Sequence, residues 1–322
     1  MLKTYDYHSA LAPYIKGLID NKRALGFKYE FEGYILKQLD EYWIMQGFSD
    51  CNITRNKLEG WMKRKDTEGK TYHNQRISFT RVLCIYLNSI GILAYVPGQE
   101  GSTEHRVPHV LSHEEVIAFF QSLDELSTGT KPERVMMKYE YQVMFRLIYS
   151  CGLRVSEACN LQTAHLDLEA NKIWIMNGKG QKDRIVYLQD DLSKLCKQYH
   201  HKLKEYLSFE PVWFFPSSDY AKPIHKTTVA NKFNVIWNKT SFSKTCDKKP
   251  TTHSLRHTMI VRRLNRWMEE GVNLEVMLPY LSKFVGHNGP DETFYYFHLV
   301  HEAFKHIHEK DTKGKIIPEV LI

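Results

Sequence analysis

Four short clusters in this chain of 322 residues carry side chains that could act together on one kind of bond. Gly152-Leu153-Arg154-Val155-Ser156-Glu157 supplies one arginine, and Thr252-His253-Ser254-Leu255-Arg256-His257-Thr258 supplies another between two histidines. Gly178-Lys179-Gly180-Gln181-Lys182-Asp183-Arg184 is a basic turn. Farther on, an Asn288-Gly289-Pro290 turn after Gly286-His287 leads into Thr293-Phe294-Tyr295-Tyr296-Phe297-His298. Guanidinium groups grip phosphate oxygens in a bidentate fashion, imidazole moves protons near neutral pH, and a phenol becomes a nucleophile once its proton has a destination. Metal ligands and paired acids for hydrolysis are not what this set offers. Taken together, it suits gripping a phosphodiester while a tyrosine attacks it. Taken singly, each residue has an ordinary reading: Arg154 could pair with Glu157, Lys179 could be a solvated turn lysine, and His287 could cap a helix. Cys246 with His253 and His257 lacks the second cysteine pair of a zinc centre, so no metal is expected.

These clusters need elements to hold them. Apolar residues recur every three or four positions over Ala10 to Ile19 and over Tyr34 to Gln46, predicting helices. Thr54 reads as an N-cap ahead of Leu58, Trp61 and Met62, and a fourth helix is expected from Asn74 to Ile90. Lys63, Arg64, Lys65, Lys70, Arg76 and Arg81 gather in the second half of this region and are candidate phosphate contacts. Pro97 to Glu104 has no apolar period and reads as a linker. Ser112 and Glu115 then form a capping-box pattern that opens a helix over Val116 to Leu123. A strongly apolar helix, Tyr139 to Ser150, breaks at Cys151-Gly152, and a new one runs from Val155 to about Leu161, which places Arg154 at a helix start. Lys172 to Met176 and Arg184 to Leu188 are β-branched and aromatic runs flanking Asn177-Gly178, a hairpin signal whose tip carries Lys179 and Lys182. Helices are expected over Asp191 to Tyr206, Thr228 to Trp237 and His257 to Glu270.

Composition narrows the class. Hydrophobic residues make up 43% and charged residues 25%, with a net charge of +7, as in a soluble globular protein with an anionic partner. Six scattered cysteines without a C-x-x-C pair fit a reducing compartment, and no apolar run approaches a membrane span, so a cytoplasmic protein is expected. Neither G-x-G-x-x-G nor a P-loop motif occurs, so nothing suggests nucleotide binding.

The clusters occur in the order G-L-R-x-S-E, G-K-G-x-K-x-R, H-x-L-R-H, G-H and T-x-x-Y-x-H, and in this the chain resembles the tyrosine recombinase (phage integrase) family. The resemblance covers some 150 residues of the second domain, by rough count. It implies a mainly α fold with a small β-hairpin or sheet: a helical core-DNA-binding domain (residues 1–97), a linker (98–105), a catalytic domain (106–300) and a tail (301–322), the two domains closing as a C-shaped clamp. Tyr296, nine residues after His287 and two before His298, matches the family's nucleophile, and Tyr295 does not.

The resemblance also implies the chemistry. Tyr296 forms a 3′-phosphotyrosyl link and releases a 5′-hydroxyl without metal, ATP or other cofactor. Arg154 and Arg256 clamp the phosphate, His253 acts as general base, and Lys179 protonates the leaving oxygen. His287 donates to a non-bridging oxygen, Glu157 helps position the site, and Lys182 is a further candidate DNA contact. Double-stranded DNA is the implied partner. Four protomers act on two duplexes through a Holliday junction, with the apolar tail after Lys315 docking on a neighbour; other recombinases or accessory proteins could join. The interval of 34 residues from His253 to His287, with Arg266-Trp267 and Leu278-Pro279-Tyr280-Leu281-Ser282 inside it, looks like recombinases of transposons and related mobile elements. The alternatives are an Xer-like resolvase of chromosome or plasmid dimers, or a DNA-binding regulator with a decayed site.

Overall fold

Trp43, with no accessible surface, sits at the centre of the first of two units, residues Met1–Arg106. The computed structural model describes residues 2–98, 107–127, 129–178, 182–289 and 291–296. Four helices form the first unit: α1 (Ala12–Ala24), α2 (Glu30–Met45), α3 (Arg55–Met62) and α4 (Lys70–Ser89). Their apolar stripes (Ile15 and Leu18, Leu36 and Leu39, Leu58, Leu83 and Leu87) converge on Trp43, whose indole N–H donates to the Asp50 carbonyl at 2.8 Å. Thr54 caps α3 as its sequence predicts, accepting from Lys57 N.

α4 starts four residues before the expected Asn74. The reason is that the polar residues of its first turns face inward. Arg76 is 1% exposed, and its guanidinium donates to both carboxylate oxygens of Glu68 and to the carbonyls of Trp61 and Lys63. It also lies over the Trp61 ring. Arg76 is therefore committed to holding this corner of the unit, and the expected phosphate contact is withdrawn for it. Arg81 is half-buried and donates to the Pro97 carbonyl, whereas Lys63, Arg64 and Lys65 are exposed.

The Arg76–Glu68 pair is buried on both sides, so removing one partner leaves an uncompensated charge. Arg76→Ala is expected to destabilise this unit by about 3–5 kcal/mol in denaturant unfolding; a loss below about 1 kcal/mol, the range of exposed pairs, would contradict the assignment. The hydrogen bond from Arg76 holds the Glu68 carboxyl at about 2, below its ordinary 4.5. A depressed carboxylate stabilises the fold above its unfolded value and loses that contribution as pH falls toward the folded one, so the pair weakens between those two pH values.

The second unit, from Val107 onward, is built around α6 (Pro132–Cys151). Val143, Met144, Phe145, Leu147 and Ile148 in this helix have no accessible surface, because other helices cover it on several sides. These include α5 (His113–Asp124), α8 (Asp190–Leu207) and α10 (Thr252–Glu269). The Ser112–Glu115 capping box forms as the sequence predicts. Phe119 of α5, Phe145 of α6 and Phe233 of α9 (Lys226–Trp237) make an aromatic cluster with ring centroids 4.8–6.1 Å apart. Between α7 (Val155–Cys159) and α8 lies an antiparallel sheet in the order β1 (Leu166–Asp167), β2 (Lys172–Ile175), β3 (Arg184–Tyr187). Its register pairs Ile173 with Val186 and Ile175 with Arg184. Ile173, Ile175 and Val186 turn inward, as their period-2 spacing dictates. β1 is too short to show that period in sequence. The chain then continues through α11 (Leu274–Val285) and α12 (Asp291–Phe294). The fold is thus mostly helical with one small three-stranded sheet, and no helix among the described residues is long and apolar enough to cross a membrane.

Candidate active site

α10 begins at Thr252, well before the expected His257, because Thr251 and Ser254 cap it: Ser254 Oγ accepts from Thr251 N at 3.1 Å. His253, Arg256 and His257 therefore stand at helical positions i, i+3 and i+4, on one face. Arg256 is 1% exposed, and its Nη1 donates to the Gly152 carbonyl. Its Nη2 is buried with no acceptor among the described residues. A buried donor without a partner is costly, and this one belongs to a cation. Burial, reinforced by the charge of Arg154, lowers the Arg256 pKa to about 10, which leaves it protonated at neutral pH.

Arg154 stands at the N-cap of α7, directly after Gly152 and Leu153. Gly152 ends α6 in the left-handed region (φ 61°), and a Cβ there would collide with the end of the Met259 side chain. The turn thus needs glycine for its dihedral, whereas the flexible Met259 end could move aside. Arg154 donates through Nη1 to Glu157 Oε1 at 2.9 Å and through Nη2 to the Gly286 carbonyl. Glu157 Oε2 accepts from Arg154 N. Burial raises the Glu157 pKa, but the Arg184 hydrogen bonds and charge, with those of Arg154, outweigh it and leave the carboxyl below its ordinary value.

Arg184 is a participant to which the sequence reading gave no role. Lying at the start of β3, it donates Nη1 and Nη2 to the two Glu157 oxygens at 2.9 and 2.8 Å, and Nε to the Phe284 carbonyl at 2.8 Å. One side chain thereby joins β3, α7 and the end of α11. The signal for it was its place in the basic-turn pattern. At the base of that turn, Gly178 N donates to the Lys182 carbonyl and Asn177 N to Asp183 Oδ1. Lys182 is exposed. Lys179 lies outside the described residues, as do His298, the expected linker from residue 99 and the tail.

Gly286 closes α11 with φ 72°, and a Cβ on it would lie 2.8 Å from Arg184 Nη1 and 3.1 Å from Arg154 Nη1. His287 follows, with Nδ1 2.8 Å from Thr293 Oγ1. Its ring lies parallel to that of Tyr296, centroids 6.0 Å apart and planes within 9°. Tyr296 is 4% exposed and packs with Met259, Leu264, Leu281 and Val285 in a core between α10 and α11. Burial raises its pKa to about 12, against the lowering effect of Arg256.

The structure thus brings Arg154, Glu157, Arg256, His253, His287 and Tyr296 into one region of the second unit. The base expected at His253 is where it differs. The partner of the Tyr296 hydroxyl is His257 Nδ1, at 2.7 Å, and His253 makes no hydrogen bond to that hydroxyl among the described residues. His253 instead sets its ring edge-on to His257, centroids 4.5 Å apart. Burial, then Arg256 and Arg154, lower the His253 pKa, although water screens part of this because the residue is exposed. No group of three or more His, Cys, Asp or Glu residues among those described could hold a metal ion.

Comparison with known proteins bears on the family and the fold. The model of the phage integrase family matches residues 109–302. Tyrosine recombinase XerC of Chlamydia caviae is 27% identical over 168 residues, which is 52% of this chain and 49% of that protein, so the match spans about half of that relative's length. Among solved structures, XerH site-specific recombinase bound to a palindromic difH substrate superposes with a TM-score of 0.65 at 18% identity, covering 86% of this chain and 78% of that one. The Tn1549 transposon integrase in complex with transposon right-end DNA gives 0.62 at 14% identity, covering 93% and 97%. A match that takes in α5 to α12, over the elements that carry both arginines and the tyrosine, makes this chain a member of the phage integrase family, the tyrosine recombinases, a class of enzymes that cleave and rejoin DNA.

Proposed function

We propose that this protein is a site-specific recombinase that cuts and rejoins double-stranded DNA through a 3′-phosphotyrosyl intermediate formed on Tyr296. The observation that carries the reading is the buried Arg256 with one nitrogen unpartnered among the described residues, beside Arg154 and a buried tyrosine. In this reading the two arginines bind the non-bridging oxygens and offset the charge that grows in the transition state. Glu157 and Arg184 hold Arg154 in place, and His287, lying against the Tyr296 ring, donates to a phosphate oxygen. Lys179 protonates the leaving 5′-oxygen. Lys63, Arg64, Lys65 and Lys182, all exposed, neutralise DNA phosphates away from the reacting one, and Arg81 contributes there in part. Since the phosphotyrosyl bond conserves the energy of the phosphodiester, rejoining needs no nucleotide cofactor.

The remaining proposals concern assembly and biological role. Residues 1–97 and 106–300 would both bind DNA, four protomers would act through a Holliday junction, and the tail would dock on a neighbour in the cytoplasm. For the role we favour integration, excision or transposition of a mobile element. The Leu278-Pro279-Tyr280-Leu281-Ser282 segment of α11 and the fold likeness to a transposon integrase support it. The second reading, resolution of chromosome or plasmid dimers, is supported by the XerC and XerH likenesses. Nicked duplexes carrying either the ends of the element that bears the gene or the host's dimer-resolution site would separate them. A covalent adduct on the element ends alone is expected; an adduct on the resolution site alone would reverse the assignment.

A further inference from the structure

We propose that His257, rather than His253, accepts the proton of Tyr296 as the phenol attacks. The inference rests on the reading of Tyr296 as nucleophile. His257 Nδ1 lies 2.7 Å from the Tyr296 oxygen, within the reach that a general base requires. The partly buried imidazole is fixed from two further sides: by the edge-on contact with His253 one helical turn earlier, and by the rigid first turns of α10. With the imidazole proton on Nε2, Nδ1 offers its lone pair to the phenol, and the phenol oxygen keeps its own lone pairs for phosphorus.

The resting imidazole is neutral, the state that can accept a proton. Burial, with the nearby imidazoles of His253 and His287 and the charge of Arg256, holds the His257 pKa down at about 3, so the imidazole is neutral and able to accept at physiological pH. The same surroundings oppose its becoming charged while the site holds no anion. A phosphodiester between Arg154 and Arg256 offsets that opposition, and the phenol turns acidic as its oxygen bonds to phosphorus. Transfer therefore accompanies attack instead of preceding it. The step balances: the Tyr296 O–H bond breaks as O–P forms, the proton moves to Nδ1, and the P–O5′ bond breaks with its oxygen taking a proton from the acid proposed at Lys179. Rejoining reverses each transfer.

The test is single-turnover cleavage of a nicked duplex at saturating concentration by the full chain. It compares His257→Ala, His257→Asn and His253→Ala, each with Tyr296 as tyrosine and as a ring-fluorinated, more acidic tyrosine. Asparagine can place an amide oxygen near the site of Nδ1, accepting a hydrogen bond but not a proton. The expected result is that Ala and Asn at 257 both slow adduct formation about 100-fold or more, in the range of general-base losses, with DNA affinity unchanged. Fluorination should recover about 10-fold of that loss, by the Brønsted logic of proton transfer, and change the wild type little. Near-wild-type cleavage by His257→Asn would overturn the inference by reducing His257 to a hydrogen-bonding prop. A large loss with fluorotyrosine rescue confined to His253→Ala would overturn it in favour of His253. No adduct from the wild type would instead remove Tyr296 as nucleophile, and the inference with it.

Discussion

Tyr296→Phe is expected to abolish covalent attachment to DNA, lowering adduct formation at least about 10⁴-fold, because no other group can take over the covalent step. The substitution is clean. Phenylalanine keeps the ring among Met259, Leu264, Leu281 and Val285, and parallel to His287. Only the hydroxyl and its hydrogen bond to His257 are lost, a structural cost on the order of 1 kcal/mol. Folding and DNA binding should therefore survive. The neighbouring Tyr295, whose ring is turned 78° from that of Tyr296 at 5.9 Å, is the control. Tyr295→Phe should cleave within about threefold of wild type, as expected of a change that leaves the nucleophile and its base in place. An adduct retained by Tyr296→Phe and lost by Tyr295→Phe would exchange the two assignments.

Arg256→Ala is expected to cost about 10³-fold or more in the cleavage rate at saturating DNA, the range for removing a guanidinium that stabilises transferring phosphoryl charge. Arg256→Lys should recover little of it. The side chain has two tasks at once: Nη1 holds the Gly152 carbonyl, which fixes the turn leading into Arg154, while Nη2 is a buried donor without an acceptor among the described residues. An ammonium is a single point charge and cannot divide itself between them. Because the residue is fully enclosed, the measurement must be paired with thermal unfolding and a DNA-binding isotherm. A loss of rate that tracked a loss of folded protein would make Arg256 a structural residue. Cleavage by Arg256→Lys within about tenfold of wild type would argue that bidentate geometry is not required.

How much of this was legible in the sequence depends on which physical signal each residue left. The hairpin strands, the helices of the first unit and α5 of the second followed from period and from cap residues such as Thr54 and Ser112, and they stand as expected except at their ends. The start of α10 was displaced because Thr252, His253 and Ser254 are weak helix formers and read as loop, whereas Thr251 and Ser254 exchange the contacts of a cap. That displacement hid the site's main organising fact, that His253, Arg256 and His257 share one helical face. Arg76 was misread because charge alone suggests a surface; its burial depends on Glu68 and on carbonyls that no linear pattern predicts. Arg184 and His257 stood inside the quoted patterns, and only their neighbours in space, Glu157 and Tyr296, give them roles.

The central claim is that Tyr296 becomes covalently joined to DNA. The most direct measurement traps the wild-type protein on a nicked duplex from which the cleaved fragment diffuses away, digests the adduct, and locates the nucleotide-bearing residue by mass spectrometry. A single modified peptide carrying a 3′-linked nucleotide on Tyr296 is the result predicted. A nucleotide on any other residue, or cleavage of the duplex with no protein attached, would contradict the account.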